Sequence, residues 1–358
     1  MKNIYTTLSD SVKIESVCQK IDIFLITYNR AKNLDNTLVQ ILSEESPIRN
    51  YKITIIDNNS TDNTCEVVAK YQKDFSNLKY ECNKYNIGGN ANIVKAFYKA
   101  TNEYVWVLAD NDSFKWDSWK DVEVAIEKQS DAIIVANYNC PKWDIASLFL
   151  QTTFLPGVIY KRANIDDTVM CNMEFNISNM FPHLALSAKL FNENKNFTIL
   201  DNPIINVEAN EDEKGEYTYT RGFEGYVHPL QRGMNWISGY ANSLYLIKDK
   251  KIRNYIISHN YFITELNSAK LFFWKDKAAE SNLYNYLCVF NVLSLFDKLR
   301  FLINVILYFT LFRIIFISQR EIFICEENKH IIQYDLRLFY FIKTRLFKII
   351  KDIERERK

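Results

Sequence analysis

Short apolar runs alternate with amphipathic stretches over the first 140 residues. Apolar runs of strand length occupy residues 21–26, 52–56, 78–80, 104–108 and 132–136. Apolar side chains recur at helical spacing after the first run, and further helices are predicted at 65–75 and 90–100. Buried strands that alternate with helices are typical of a parallel sheet covered by helices on both faces. The pattern therefore predicts an α/β fold.

Glycine placement predicts the domain organisation. Five of the eight glycines lie between Gly215 and Gly239, and no glycine or proline follows Gly239. A long tail without these breakers is expected to be mostly helical. We predict a catalytic domain at 1–205, a glycine-rich acidic and aromatic loop at 206–240, and a mainly helical region at 241–358. The loop is a candidate lid from which Arg232 could reach a diphosphate. The alternative is a connecting segment with packed aromatics.

Composition and charge exclude several classes of protein. Hydrophobic residues make up 48% of the chain and charged residues 24%, which excludes a disordered chain. The net charge of +1 argues against nucleic-acid binding through bulk charge. The seven cysteines are scattered without a CxxC pair, so we expect reduced cytosolic thiols. The first twenty residues are polar, so we expect no signal peptide.

Polar clusters follow the predicted strands, where ligands bind in parallel sheets. Asp57 follows the second strand, and Asp110 and Asp112 follow the fourth. Two carboxylates at this spacing suit Mg²⁺ or Mn²⁺ shared with phosphate oxygens, although an Asx turn has the same pattern. The segment 86–90 offers backbone N–H groups to an anion at a helix start. It lacks the spacing of dinucleotide-binding and P-loop motifs, which disfavours hydride transfer and P-loop chemistry.

Four ordered motifs resemble those of a known family. They are Ile26–Arg30 (ITYNR), Ile56–Asp62 (IDNNSTD), Asn86–Asn92 (NIGGNAN) and Val107–Asp112 (VLADND). In order and spacing they resemble family 2 glycosyltransferases with the GT-A fold, a Rossmann-like, mostly parallel sheet flanked by helices. Within that family the chain is similar to bacterial sugar transferases of O-antigen and capsule assembly, including the abequosyltransferase-like group.

The resemblance implies a nucleotide-sugar site. Its members would be Thr27, Tyr28, Arg30, Asp57, Asn86, Gly89, Asn92, Asp110 and Asp112. Thr27 and Asp57 would hold the base, and Asp110 would lie near the ribose or donor sugar. Asp112, with Asp110, would bind the Mn²⁺ or Mg²⁺ that bridges the diphosphate. Asn58 stands where the family usually has a second aspartate, which leaves base selectivity open.

The acceptor hydroxyl needs a general base. The resemblance aligns the family's acceptor strand with residues 155–162 and its following helix with 183–190, which places His183 where the usual aspartate stands. A neutral imidazole accepts a proton near pH 7 without a shifted pKa. The alternative is a helix-start residue packed beside Phe181. Asp166, Asp167 and Glu174 are further candidate bases, in a segment predicted to be a loop.

The tail suggests a membrane surface. Residues 301–317 are almost wholly apolar but contain Arg313, and residues 339–353 form a basic amphipathic pattern. We expect peripheral attachment to the inner face of the cytoplasmic membrane. The alternatives are a helical cap on the core, a homodimer contact and a true membrane span. Attachment fits the family, whose acceptors are often polyprenyl-diphosphate-linked sugars.

The leading hypothesis is an inverting, metal-dependent glycosyltransferase that uses a nucleotide-diphosphate sugar and a glycan acceptor. A second is a catalytically silent membrane scaffold with the same fold, which binds nucleotide without transfer. A third, a nucleotidyltransferase, is disfavoured because no glycine-rich phosphate loop with a downstream lysine is present.

Overall fold

The computed structural model describes residues 5–6, 20–136, 143–177, 180–206, 239–259 and positions 290, 291, 293, 295, 298, 299, 302 and 303. The chain divides into two compact units, residues 1–298 and 299–358. All helices and strands with assigned bounds belong to the first unit.

Eight strands form one mixed, mostly parallel sheet. They are β1 (Tyr5–Thr6), β2 (Ile21–Thr27), β3 (Ile53–Asp57), β4 (Leu78–Cys82), β5 (Tyr104–Ala109), β7 (Ala132–Ile134), β8 (Val158–Lys161) and β9 (Phe197–Ile199). Their order is β1-β9-β7-β8-β5-β2-β3-β4. Only β8 runs antiparallel to its neighbours among these strands. A separate antiparallel pair joins β6 (Ser113–Phe114) to β10 (Ile205–Asn206).

Helices accompany the strands along the chain. They are α1 (Ala31–Ile41), α2 (Thr64–Gln72), α3 (Gly89–Lys99), α4 (Trp119–Glu127), α5 (Ile145–Gln151), α6 (Asp167–Phe175), α7 (Leu184–Asn192) and α8 (Lys250–His259). The core lies around the central strands, which are buried on both faces as their apolar sequences require. In this core Trp106 stacks on Trp119, and its indole N–H donates to the carbonyl of Pro156.

The register brings the polar ends of three strands to one edge of the sheet. Thr27 of β2 lies opposite Asp57 of β3, and Ile26 lies opposite Ala109 of β5. Asp110 follows Ala109 directly. The predicted fold class is therefore confirmed, and the strand ends meet as the pattern predicted.

One predicted loop is a helix. The segment containing Asp166, Asp167 and Glu174 was expected to be irregular, but it forms α6. The Asp166 carboxylate caps the helix by accepting a hydrogen bond from the backbone N–H of Val169, 2.8 Å away. Paired aspartates are typical of a helix start as well as of a turn, and the buried apolar side chains that follow decide between the two.

Two smaller boundaries also differ from prediction. The predicted acceptor strand begins at Val158 because residues 155–157 form a 3₁₀ turn that contains Pro156. The helix predicted at 65–75 ends at Gln72.

The described part of the C-terminal region packs on the sheet domain. Residues 239–244 are helical, and α8 follows. The Asn192 amide donates to the carbonyl of Leu246 and accepts from the N–H of Lys248, and the Tyr255 hydroxyl donates to Asp144. Among the described residues, none of the helices is long and apolar enough to cross a bilayer.

Several predicted features lie outside the described residues. They include almost all of the candidate lid, with Arg232, the apolar segment 301–317 apart from residues 302 and 303, and the basic pattern at 339–353.

Candidate active site

Asp110 joins three elements at the edge of the sheet. One carboxylate oxygen, Oδ2, accepts a hydrogen bond of 2.7 Å from the Thr27 hydroxyl at the end of β2. The other, Oδ1, forms an ion pair of 3.0 Å with the Arg30 guanidinium, which immediately precedes α1. Thr27, Arg30 and Asp110 are therefore brought together as predicted, and both Asp110 oxygens already have partners.

Asp112 lies beside this cluster with an unused carboxylate oxygen. The residue is 8% exposed, and its Oδ2 atom has no hydrogen-bond partner within the described structure. Burial, together with the charge of Asp110, raises the pKa of Asp112 to about 7. A buried carboxyl oxygen without a hydrogen-bond partner lowers the stability of the protein when no ligand is bound, and this indicates a charged ligand.

The Asp112 segment is held in place by α1. The Gln40 side-chain oxygen accepts a hydrogen bond of 3.1 Å from the backbone N–H of Phe114. The Gln40 amide nitrogen lies 3.5 Å from the Asp112 carbonyl oxygen. Gln40 carries no motif signal, so sequence reasoning missed it.

The residues at this edge fit a divalent cation. Mg²⁺ and Mn²⁺ take hard oxygen ligands and usually share them with a phosphate. The unpaired Asp112 oxygen is such a ligand, and a bound cation would favour the ionised carboxylate, which burial and the charge of Asp110 disfavour. In the described ranges no group of three or more His, Cys, Asp or Glu side chains gathers around a possible metal position. The protein would therefore supply few of the ligands.

Asp57 is occupied by contacts within the protein. Its Oδ1 accepts from the Ser60 hydroxyl at 2.6 Å and from the Ser60 backbone N–H at 3.0 Å. Its Oδ2 accepts from the Tyr80 hydroxyl at 2.6 Å. Burial and the bond to Asp57 raise the pKa of Tyr80, so the phenol remains a donor. Tyr80 was not found from the sequence because it lies in the middle of a short strand, β4, that carries no motif.

The loops after β2 and β3 are fastened to one another. Asn29, in the left-handed region at φ 50°, donates its backbone N–H to the Ser60 hydroxyl and accepts from the Thr61 N–H with its side chain. Asp62 accepts from the first N–H of α1, at Ala31, and from the first N–H of α2, at Thr64. One carboxylate therefore caps two helices.

Asn86 and Asn92 belong to a network of amide side chains around the start of α3. The Asn86 side chain accepts from the Gly88 N–H, and the Asn58 side chain accepts from the Ile87 N–H. These two N–H groups are therefore engaged inside the protein. The expectation that segment 86–90 offers its N–H groups to an anion is wrong for Ile87 and Gly88 and stays a prediction for the rest of the segment. Gly89, the first residue of α3, is exposed and faces open space.

His183 stands at the N-terminus of α7, near the predicted position, but in a different environment. It is 2% exposed, and its Nε2 lies 3.0 Å from the Thr152 carbonyl and 3.2 Å from the Thr153 carbonyl. Carbonyls accept, so Nε2 carries the proton and Nδ1 is the acceptor. Nδ1 is buried and has no partner in the described structure. The ring packs edge-to-face on Phe181.

Burial lowers the pKa of His183 to about 4, against the opposing effect of the two carbonyls. The expectation of an unshifted pKa is therefore wrong, because that expectation assumed a hydrated imidazole. His183 is therefore neutral near pH 7, as a proton acceptor must be, but the burial that keeps it neutral also makes it a weaker base. The geometry is compatible with a packing role and with a proton-accepting role.

The other candidate bases serve helix α6. Asp166 caps the helix and pairs with Lys189 at 2.7 Å, and Glu174 accepts from the Tyr98 hydroxyl at 2.7 Å. Asp167 lies in the first turn of the helix. Tyr28 follows Thr27 in the loop after β2 and is half-buried.

Residues 22–192 match the family model for glycosyl transferase family 2. Over 106 residues the chain is 28% identical to abequosyltransferase RfbV of Salmonella typhimurium, covering 29% of this chain and 32% of that protein. Over 94 residues it is 32% identical to the GalNAc(5)-diNAcBac-PP-undecaprenol beta-1,3-glucosyltransferase of Campylobacter jejuni, covering 26% and 30%. The chain thus spans about a third of the length of these curated relatives.

Solved structures give a weaker likeness. S. aureus TarS 1–349 in complex with UDP-GlcNAc superposes over 76% of this chain and 79% of that chain, with a TM-score of 0.48 and 18% identity. The mannosyltransferase PcManGT of Pyrobaculum calidifontis, in complex with GDP-Man and Mn²⁺, covers 81% and 87%, with a TM-score of 0.48 and 13% identity.

The mostly parallel sheet and the polar cluster at its carboxyl edge define a Rossmann-like α/β protein with a candidate ligand site at the strand ends. More particularly, residues 22–192 are similar to the glycosyl transferase family 2 domain, the family whose model they match.

Proposed function

We propose that the chain is an inverting, metal-dependent glycosyltransferase that moves a sugar from a nucleotide-diphosphate donor to a hydroxyl group of a glycan acceptor. The observation that carries this proposal is the buried, unpaired carboxylate oxygen of Asp112 beside the Thr27–Asp110–Arg30 cluster, within a family 2 domain. A site of this kind provides negative charge for a cation and fixed polar groups for a nucleotide.

The donor would lie across the carboxyl ends of β2, β3 and β5. Thr27 and Asp57 would face the base, with Tyr28 beside them, and Asp110 the ribose or sugar. Gly89 gives a ligand room, since a side chain there would meet no protein atom within 4 Å. Asn86 and Asn92 shape this wall of the site through their hydrogen bonds to backbone groups.

Asp112, assisted by Asp110, would hold the Mn²⁺ or Mg²⁺. When bound, the metal supplies positive charge against the charge that develops on the leaving diphosphate. Arg30 keeps Asp110 in place, and Gln40 keeps the Asp112 segment in place. Arg232 remains a proposed contact to the diphosphate.

His183 is the proposed general base. The Thr152 and Thr153 carbonyls fix its tautomer, so that Nδ1 is the atom that accepts a proton. In its buried state the ring is a weak base, and the acceptor hydroxyl would have to reach Nδ1 directly. A second candidate function follows from the same observation: a scaffold that binds nucleotide without transfer would keep a buried, neutral His183 at this place.

We further propose a lipid-linked glycan as the acceptor and the inner surface of the cytoplasmic membrane as the place of action. The Campylobacter relative is named for an undecaprenol-diphosphate-linked acceptor. The basic amphipathic pattern at 339–353 supports attachment to anionic lipid. A homodimer through the helical C-terminal region is the alternative use of this pattern.

The test is transfer of labelled sugar from a panel of nucleotide sugars, with bacterial membranes as the source of acceptor. We expect label in the organic-soluble fraction with Mn²⁺ or Mg²⁺ and none with EDTA. Asp112→Asn should lower the rate by about 10³-fold, the equivalent of several kcal/mol of charge stabilisation. Asp117→Asn is the matched control, because Asp117 is exposed in the same segment. Full turnover in Asp112→Asn would overturn the metal assignment, and nucleotide binding without transfer would favour the scaffold.

A further inference from the structure

We propose that Asn58 and Asn83 are positioning residues that fix the turn leading into α3, and that residue 58 must be an amide, not a carboxylate, for this purpose. The proposal builds on the proposed function, since that turn borders the donor site. Asn58 follows Asp57 directly at the end of β3, and Asn83 follows the last residue of β4.

The amide of Asn58 uses both of its ends. Its oxygen accepts from the Ile87 N–H at 2.9 Å and from the Asn83 side chain at 3.0 Å. Its nitrogen donates to the Asn86 side-chain oxygen at 2.7 Å. The same Asn86 oxygen accepts from the Gly88 N–H at 2.9 Å. Asn58 therefore holds the turn at Ile87 directly and at Gly88 through Asn86.

Asn83 extends the network to the interior of the domain. Its nitrogen donates to Asn58 and, at 2.9 Å, to the Asn92 side-chain oxygen. Its oxygen accepts from the Lys95 ammonium. The Asn92 nitrogen donates to the carbonyl of Ile56 at 3.0 Å. The network thus connects β3, the residue after β4, the turn and helix α3.

The orientation of each side-chain amide in this network is set by partners that can only donate or only accept a hydrogen bond. The N–H groups of Ile87 and Gly88 and the ammonium of Lys95 can only donate, and the Ile56 carbonyl can only accept. These partners determine which atom of each amide is the oxygen and which is the nitrogen. With these assignments, every bond between two amides joins an N–H donor to an oxygen acceptor. Asn58, Asn83 and Asn92 are buried, so a broken bond would leave a polar group without water.

A carboxylate at position 58 would fit this network poorly. It would keep the two bonds that the Asn58 oxygen accepts, but it has no N–H to donate. Its second oxygen would stand against the Asn86 side-chain oxygen, at the place of the present 2.7 Å bond. Two acceptors at that distance repel, and Asn86 cannot turn its amide without abandoning the Gly88 N–H.

Asn58 acts through the turn, and its side chain is buried. Because its oxygen already accepts two hydrogen bonds, a base contact to that oxygen would have to break a bond that shapes the site. The departure from the family's usual aspartate therefore changes how the turn is held, and this position does not read the base.

The experiment compares Asn58→Asp and Asn58→Ala with the unaltered full chain. Amide hydrogen exchange at Ile87 and Gly88 is the first readout, since it reports the turn without any activity. We expect exchange at both amides to be about tenfold faster in each variant, because each loses at least one buried bond. Binding of UDP, GDP and their sugar conjugates with Mn²⁺ is the second readout, and we expect weaker binding with the ranking of nucleotides unchanged.

Asn164→Asp is the matched control. Asn164 is also buried and donates to a single side chain, Asp131, away from the turn. This variant should lose stability through the new pair of carboxylates while exchange at Ile87 and Gly88 stays as in the unaltered chain. It separates a general loss of stability from a local loss of the turn.

Two results would overturn the proposal. Unchanged exchange at Ile87 and Gly88 in folded Asn58→Asp would show that the amide does not hold the turn. Tighter binding, or a new nucleotide ranking, in Asn58→Asp would show that the residue reads the base. Absence of nucleotide binding by the unaltered chain would instead count against the proposed function, and the exchange data would still decide the role of Asn58.

Discussion

At Gly89, a larger side chain is expected to change protein stability and donor binding in opposite directions. It is the first residue of α3, and a Cβ there would meet nothing within 4 Å. Gly89→Ala should therefore stabilise the protein slightly, by about 0.5–1 kcal/mol, because alanine loses less backbone freedom in a helix. If the site binds a nucleotide sugar against this residue, the same change should weaken donor binding by about tenfold.

Thermal unfolding and nucleotide titration of Gly89→Ala measure both effects. Gly157→Ala is the opposite control, since its Cβ would stand 2.8 Å from Phe154 and 2.9 Å from Ala136 and should cost stability. Unchanged donor affinity in Gly89→Ala would remove Gly89 from the site.

His183 should make folding sensitive to acid. Its pKa is lowered to about 4 in the folded protein, against an ordinary value of 6.5. Between these values the unfolded chain binds the proton at this residue and the folded protein does not, so the contribution of His183 to stability falls as the pH drops from about 6.5 towards 4. The raised pKa of Asp112 contributes with the opposite sign, so the effect of His183 is measured as a difference between variants. The expected slope is roughly 1 kcal/mol per pH unit.

Urea unfolding at several pH values, in His183→Gln and in the unaltered chain, measures this effect. Glutamine can donate to the Thr152 and Thr153 carbonyls but does not titrate, so the variant should lose less stability on acidification than the unaltered chain. His259→Gln, at an exposed histidine, serves as the control. Equal slopes in His183→Gln and the unaltered chain would show that the ring is hydrated, as the unshifted base was expected to be.

Asp62 connects the starts of helices α1 and α2, so its replacement tests how much the two helices depend on one side chain. Its carboxylate caps α1 at Ala31 with a bond of 3.0 Å and α2 at Thr64 with a bond of 3.1 Å. Asp62→Ala should lower the free energy of unfolding by about 2 kcal/mol, since each lost cap costs about 1 kcal/mol. Denaturant unfolding measures the loss, with the exposed Asp74→Ala as control. A loss no larger than in the control would show that the two helix starts do not depend on this cap.

The elements that the sequence predicted well are those whose signal is local. The central strands β2, β3 and β5 were predicted within a residue or two because their apolar, β-branched runs can only be buried. Helix α6 was missed because aspartates occupy its N-cap and its first position, and paired aspartates suit a turn and a helix start equally.

The candidate site was predictable only in part, for the same reason. The Thr27–Asp110–Arg30 cluster follows from strand ends that must meet at one edge. The partners of Asn58, from Asn83 to Ile87, are separated from it by about 25 to 29 residues, and no local pattern reports such bonds. The burial of His183 likewise depends on the distant carbonyls of Thr152 and Thr153.

At the scale of the whole molecule, the net charge of +1 is too small to attract the protein to an anionic membrane. Attraction to anionic lipid would depend on the local basic pattern at 339–353. The full chain should therefore bind vesicles that contain phosphatidylglycerol, bind phosphatidylcholine vesicles weakly, and be released by about 1 M salt.

Flotation of the full chain with the two kinds of vesicle measures this difference. The variant carries glutamine at Lys343, Arg345, Lys348 and Lys351 and should float poorly with either kind. Equal flotation of this variant and the unaltered chain would contradict the interfacial account, and a concentration-dependent dimer that the variant disrupts would favour the homodimer.

The central claim is that Asp112 and a divalent cation together bind a nucleotide-diphosphate sugar. The most direct measurement is the melting temperature of the unaltered chain and of Asp112→Asn across a panel of nucleotide sugars, with Mn²⁺ and with EDTA. The account predicts that at least one nucleotide sugar, at about 100 times its Kd, raises the melting temperature of the unaltered chain by about 5 °C with Mn²⁺. The rise should vanish with EDTA and in Asp112→Asn. A folded protein that shows no rise with any nucleotide sugar, or the same rise in EDTA, would contradict it.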